Sequence, residues 1–347
     1  MEGMEPTGIA RRQTNCSATG DMIPLISPLM TWDEFVLFNT YIAPFTIFVC
    51  AIGVSSNMVN ILVFYKMGFS SSSNISLFCL AIADACTVAA IFLIACWDSF
   101  DDTYLPMPLK EVALTISTVY YFFSSMGSWI TAVINVERSC CIAFPIKVKL
   151  FFTRKNIVIF IVGMFIFQIA SSLPRCFAIG LTKITSPVTN RTVVIFDLEK
   201  YNAGMFFMSM LVSFSIPGLI CFVIVLVGTI FLISNFKQSR QLRKSMKGSE
   251  GISDKMSVKD ARLVRSIIFI CVIFIVGSTP NVLLYLIQTI YPTLNIIDPY
   301  LGNLTYAFYT VSHTFQATAS SVNIFVYFGM GSRFKYTFKQ TFFCQSR

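Results

Sequence analysis

Seven stretches of the chain are too long and too apolar to be ordinary elements of a water-soluble domain. They cover residues 40–65, 74–97, 111–136, 156–180, 203–235, 264–291 and 301–329. Crossing about 30 Å of hydrocarbon takes roughly 20 mainly apolar residues, and every stretch meets that length. Lipid offers the backbone no hydrogen-bond partner, so each stretch is expected to be a helix. Only 12% of the 347 residues are charged, against about 25% in a soluble domain. The expectation is an all-α membrane protein: one seven-transmembrane helix bundle over 40–329, an N-terminal tail over 1–39 and a C-terminal segment over 330–347. Pro174, Pro217 and Pro280 fall inside spans four, five and six, where membrane helices accommodate them as kinks.

Charge sets the orientation. Nineteen of the 26 Lys and Arg residues fall in one set of loops and the C-terminal tail, while 12 of the 17 acids fall on the other side. The basic side is therefore predicted to be cytoplasmic, and an odd number of spans places the N-terminus outside. A net charge of +9 would suggest nucleic acid in a soluble protein; here the positive-inside rule accounts for it and no nucleic-acid partner is expected. The first 30 residues lack the apolar run of a signal peptide, so the first span is expected to act as its own insertion signal. The sequons at Asn15, Asn190 and Asn303 lie on the predicted outer side and are candidate glycosylation sites. Segment 237–260 is polar and basic, and reads as a flexible cytoplasmic loop. Phe334, Phe338 and Phe342 recur at i, i+4, i+8 among basic residues. That pattern predicts a short amphipathic eighth helix on the membrane surface, with Cys344 after it as a candidate for palmitoylation.

Most of the 11 cysteines lie in or beside spans and none forms a C-x-x-C metal pattern, so no metal site is expected. One carboxylate is out of place. Asp84 sits in mid-span, where a charge costs about 2.5–3.5 kcal/mol on insertion scales. It is either helix-packing glue or an interior polar site for an ion or proton.

Short fragments then recur in order, one per span. Span one carries Ser56-Asn57-Met58-Val59, and span two Asn74-x-x-Leu77-x-x-Leu80-Ala81-x-Ala83-Asp84. Span three ends in Glu137-Arg138-Ser139, with Pro145 beyond it. Span five has Pro217, span six Phe274 and Pro280, and span seven Asn323-Ile324-Phe325-Val326-Tyr327, with Phe334 seven residues on. Over nearly its whole length the chain resembles the rhodopsin-like (class A) G-protein-coupled receptors. The run from Glu137 to Lys149 is similar to orphan invertebrate receptors of the neuropeptide or chemosensory type.

The resemblance implies a receptor that opens its cytoplasmic side to a heterotrimeric G protein. On matching positions it implies an activation switch of Glu137, Arg138, Asp260, Asn323, Tyr327, Pro217, Phe274 and Pro280, with an Arg138–Asp260 pair locking spans three and six. It implies an interior polar site of Asn57, Asp84 and Asn323, which could hold a sodium ion; no other cofactor is expected. It places the ligand, a neuropeptide or small chemosensory molecule, among Tyr120, Ser124, Asn281, Tyr285, Tyr309 and His313. The family's usual disulfide lacks its span-three cysteine, since Ala113 stands there, and Cys96 with Cys176 is the alternative pairing. Ser278 replaces the switch tryptophan, Val225 the span-five tyrosine and Ile324 the span-seven proline. Tyr120 stands where aminergic receptors carry an aspartate, and Ala317 where opsins carry the retinal lysine, which argues against both ligand types. Two competing readings are a transporter or channel, without the expected inverted repeat, and a receptor that does not couple. An enzyme is not expected, because one histidine and no acidic cluster supply no catalytic set.

Overall fold

The computed structural model describes residues 28–99, 109–144, 148–178, 180–185, 192–196, 200, 202–245, 258–291, 294, 298, 300–330 and 332–343. The helices are α1 (Trp32–Met67), α2 (Ser72–Ser99), α3 (Leu109–Ala143), the short α4 (Val148–Phe151), α5 (Arg154–Ala178), α6 (Ala203–Met210), α7 (Ile216–Ser245), α8 (Val258–Ile290), α9 (Gly302–Met330) and α10 (Ser332–Phe342). The seven spans are α1, α2, α3, α5, the α6–α7 run, α8 and α9. Five of them are apolar enough to cross a membrane by length and composition alone. The other two, α3 and α9, carry much of the polar interior.

Local signals explain the boundaries. Thr31 and Glu34 form a capping box at α1: the Glu34 carboxylate accepts from Thr31 N at 2.8 Å, and Glu34 N donates to Thr31 Oγ1 at 3.3 Å. The donation from Thr31 N, followed by one from Thr31 Oγ1 at 2.9 Å, holds the Glu34 carboxyl below its ordinary range. Gly68 ends α1 at φ 77°, a backbone that side-chain-bearing residues rarely adopt.

Span five departs from a regular helix. A π turn, Leu211–Ser215, separates α6 from α7, and Pro217 explains it. Proline has no N–H, so the carbonyl four residues back, on Ser213, loses its helical donor. Gln168 Nε2 of α5 donates to that carbonyl at 3.0 Å, and Ser125 Oγ of α3 at 3.3 Å. Ser125 Oγ also lies 3.0 Å from Gln168 Oε1. The proline thus creates an acceptor that ties spans three, four and five together.

The bundle is apolar outside and polar within. Phe48, Ile166, Phe177, Val227, Val276 and Phe325 are exposed, while Asn57, Asn60, Asp84, Asn135, Gln168 and Asn323 are buried. In water such a surface would aggregate; in lipid it is the required solvent-facing layer. Two apolar clusters fill the rest of the core, one around Leu80, Ile130, Ile134, Ile267 and Tyr327, the other around Cys50, Val88, Ile91 and Tyr120.

A small antiparallel hairpin, β1 (Leu181–Thr185) with β2 (Thr192–Phe196), adds to the helical bundle. The eighth helix forms as expected, but its phenylalanine stripe does not simply rest on the membrane. Phe334 is buried and packs on Phe64, Tyr327 and Phe328 at ring distances of 5.4, 5.8 and 5.4 Å. The expected flexible loop falls largely on 246–257, outside the described residues, with α7 and α8 extending into it from either side.

Candidate functional site

Polar groups concentrate at three levels of the bundle: mid-bundle, the Arg138 end and the hairpin end. At mid-bundle, Asp84 of α2 accepts hydrogen bonds from Ser320 Oγ at 2.9 Å and Asn323 Nδ2 at 2.8 Å, both on α9. Asn57 of α1 joins the group, donating to the carbonyls of Ser320 at 3.1 Å and Gly53 at 3.0 Å. Close approach at Gly53 makes this possible: a Cβ there would collide with Ser321 and Val88. Asp84, Ser124, Gln316, Ser320 and Asn323 line a cavity of about 30 Å³, room for one water or small ion. The oxygens present suit a small hard cation: the Asp84 carboxylate, Ser320 Oγ and Asn323 Oδ1, which has no partner of its own.

At the Arg138 end, Arg138 Nη2 lies 3.5 Å from Glu137 Oε1. Both are tied to the start of α2: Ser72 Oγ and Ser73 Oγ donate to Glu137 at 2.8 and 3.2 Å, and Arg138 donates to Ser73. The two serines were missed in the sequence, where nothing marks a loop serine as the partner of a distant ion pair. Asp260 falls in α8, but its side chain lies outside the described residues. Nearby, Asn135 Nδ2 of α3 reaches Val225 O at 3.3 Å, Thr229 Oγ1 at 3.1 Å and Cys271 Sγ at 3.1 Å. This clasp joins spans three, five and six beside Val225, where the family's tyrosine is absent. Tyr327 is fully buried, its ring 5.0 Å from that of Phe64.

At the hairpin end the predicted ligand residues do come together. The Tyr120 and His313 rings meet edge-to-face at 4.4 Å. Asn281 Nδ2 donates to Gln316 Oε1 at 3.1 Å and reaches Tyr120 OH at 3.5 Å. Tyr309 OH pairs with Gln288 at 3.0–3.1 Å. Phe214 packs against Tyr285 at 5.0 Å and Tyr121 at 4.9 Å. A largely apolar cavity of about 140 Å³ opens beside them, lined by Ser124, Phe214, Phe274, Ser278, Asn281 and Tyr285. Ser278, small where the family has tryptophan, lines both this cavity and the one at Asp84.

The model of the seven-transmembrane receptor (rhodopsin) family matches residues 56–327. The chain belongs to the rhodopsin family of seven-transmembrane receptors. The match opens on the Ser56-Asn57 motif and closes on Tyr327. No curated protein matches the chain. Membership makes it a multi-pass membrane receptor.

Several expected sites need correction or stay outside view. Cys96 and Cys176 are free thiols, Cys96 part-buried on α2 and Cys176 exposed on α5. Asn303 is part-buried in the first turn of α9, and its amide donates to Met30 O at 3.2 Å, so this rhodopsin-family chain uses it to tie the N-terminal approach to span seven. Asn15, Asn190 and Cys344 lie outside the described residues.

Proposed function

We propose that this receptor sits in the plasma membrane with its N-terminus and hairpin end outside, binds an extracellular ligand at the hairpin end, and activates a heterotrimeric G protein from the Arg138 end. One observation carries the reading. Gln316, Ser320, Asn323 and Tyr327 are spaced to share one face of α9. Gln316 holds Asn281 of the ligand-facing cluster, Ser320 and Asn323 hold Asp84, and Tyr327 packs against α1 and α10. A ligand that moves α8 against α9 therefore acts on a column of polar contacts that runs toward the cytoplasmic side. The tethered Arg138 is the bistable element at its end, held by Ser73 of span two and by the proposed partner Asp260 of span six, and it is released when span six moves away and its side chain swings off Ser73. A sodium ion on Asp84, Ser320 and Asn323 would neutralise the carboxylate and favour the contracted arrangement. The ligand is a neuropeptide or a small chemosensory molecule.

The test uses the receptor in cultured cells with surface delivery measured in parallel. The double variant Ser72→Ala/Ser73→Ala is expected to raise basal dissociation of at least one G-protein class, because it frees Arg138. No rise in any class, at normal surface level, would refute the tether.

A further inference from the structure

Arg175 is the unexplained charge of the hairpin end. It lies near the end of α5, one turn from Ala178, and only 3% of it is exposed. Its guanidinium stacks over the Tyr121 ring at 4.9 Å. Its described hydrogen bond is to the thioether of Met210 at 2.9 Å, a weak acceptor. Its Nε and Nη2 have no partner, and among the described residues no carboxylate pairs with it. Glu137 and Arg138 show the alternative in the same molecule: the buried charges at the other end are paired. An unpaired buried guanidinium is strongly disfavoured, so a fixed fork of donors kept in that state points to a partner that arrives from elsewhere.

Its surroundings give the chemistry of that partner. Tyr285 OH, His313 Nε2 and Asn281 Oδ1 are also buried without partners, and they adjoin the same cluster: Tyr285 through Phe214 and Tyr121, His313 through Tyr120, and Asn281 through its contact with Tyr120 OH. Beyond Phe214 lies the apolar cavity of about 140 Å³, close to the size of an engineered cavity that holds benzene. A planar fork of donors suits a carboxylate held by two parallel hydrogen bonds.

We infer that the ligand of this receptor carries a carboxylate that seats on Arg175, joined to an apolar or aromatic body that fills the cavity beside Phe214 and Tyr285. This rests on the ligand site proposed above and specifies its ligand class. The carboxylate belongs either to a small organic acid or to the free C-terminus of a peptide, and the test separates the two.

The experiment measures thermal unfolding of the purified full-length receptor in detergent, which reports binding without requiring a G protein. The probes are ω-phenylalkanoates with two to six linking carbons, their primary amides, and the tripeptide Gly-Leu-Phe as free acid and as amide. Acids, or the free-acid peptide, are expected to stabilise the receptor, and the matching amides are not. Arg175→Gln should lower apparent affinity for the acid on the order of 10- to 100-fold, the scale of a lost charge-assisted bond, and Arg175→Lys should retain part of it. Without ligand, Arg175→Gln should match or exceed the wild-type midpoint, because it removes an unpaired charge. If instead a loop acid such as Asp197 or Glu199 is its permanent partner, Arg175→Gln lowers that midpoint and no acid binds; that result overturns the inference. Equal stabilisation by acids and amides, unchanged in Arg175→Gln, also overturns it while leaving the ligand site intact. Acid-selective binding that never activates a G protein would instead count against the coupling proposed above and leave this inference standing.

Discussion

Replacing Gln168 with leucine tests whether Pro217 shapes the bundle through the carbonyl it leaves unpaired. Gln168→Leu removes two interhelical contacts, the 3.0 Å donation to Ser213 O and the 3.0 Å contact with Ser125. Hydrogen bonds between membrane helices average about 0.6 kcal/mol and reach about 1.7 kcal/mol. The Ser213 carbonyl keeps Ser125 at 3.3 Å, so it is weakened rather than abandoned. The expected loss is about 1–2 kcal/mol, a fall of roughly 2–8 °C in the unfolding midpoint for a domain of this scale. The decisive arm is Pro217→Ala, which restores an N–H four residues after Ser213 and lets the helix close on that carbonyl. In that background Gln168→Leu should cost less by about 0.6–1.7 kcal/mol. Thermal unfolding of the four purified variants completes the cycle. Equal cost in both backgrounds, or no cost in either, would refute the link between the proline, the π turn and the clasp.

Further outcomes follow from the other levels of the bundle. Asp84→Asn keeps the side chain's size but removes its charge; wild type should be stabilised by sodium chloride relative to choline chloride, and the variant should lose that difference. Asn15→Gln and Asn190→Gln should each shorten the glycosidase-sensitive shift of the expressed protein by one step, while Asn303→Gln should not, its amide being held by Met30; glycans on neither Asn15 nor Asn190 would remove support for the outward orientation. Phe334→Ala should destabilise the receptor by about 3 kcal/mol, the low end for a buried phenylalanine, read as a lower unfolding midpoint; an unchanged midpoint would mean that α10 rests on lipid after all.

The parts of this molecule that were legible in the sequence are those fixed by the solvent and by local periodicity. Seven apolar runs, each long enough to cross a bilayer, each coincide with a helix or helix run, but α1, α3 and α7 extend well past the apolar stretches, because polar turns continue a helix without leaving a hydropathy signal. Asp84 announces itself because a mid-span carboxylate is costly, and Tyr120, Asn281 and His313, which the resemblance groups, lie together in the bundle. Partners across helices were not legible. Gln168 looks like an isolated polar residue until Ser213 stands opposite it, and Ser72 and Ser73 look like loop residues until α2 swings them against Glu137. Nothing in the sequence marks Arg175, near the end of span four, as buried, because packing by spans three and five decides that. The hairpin left a faint trace in the β-branched runs Thr182–Thr185 and Thr192–Ile195, overshadowed by the stronger helical signals around them. Cys96 and Cys176 sit at similar depth in their spans, but a shared depth says nothing about which neighbour each faces.

The central claim is that Arg138 is a restrained switch for a G protein. Its most direct test is nucleotide exchange on purified heterotrimeric G proteins by the receptor in lipid nanodiscs, comparing wild type, Asp260→Ala and Asp260→Ala/Arg138→Ala. The account predicts faster ligand-free exchange for Asp260→Ala than for wild type with at least one G-protein class, and loss of that gain when Arg138 is also removed. Identical exchange by all three proteins, with each correctly folded, would contradict it.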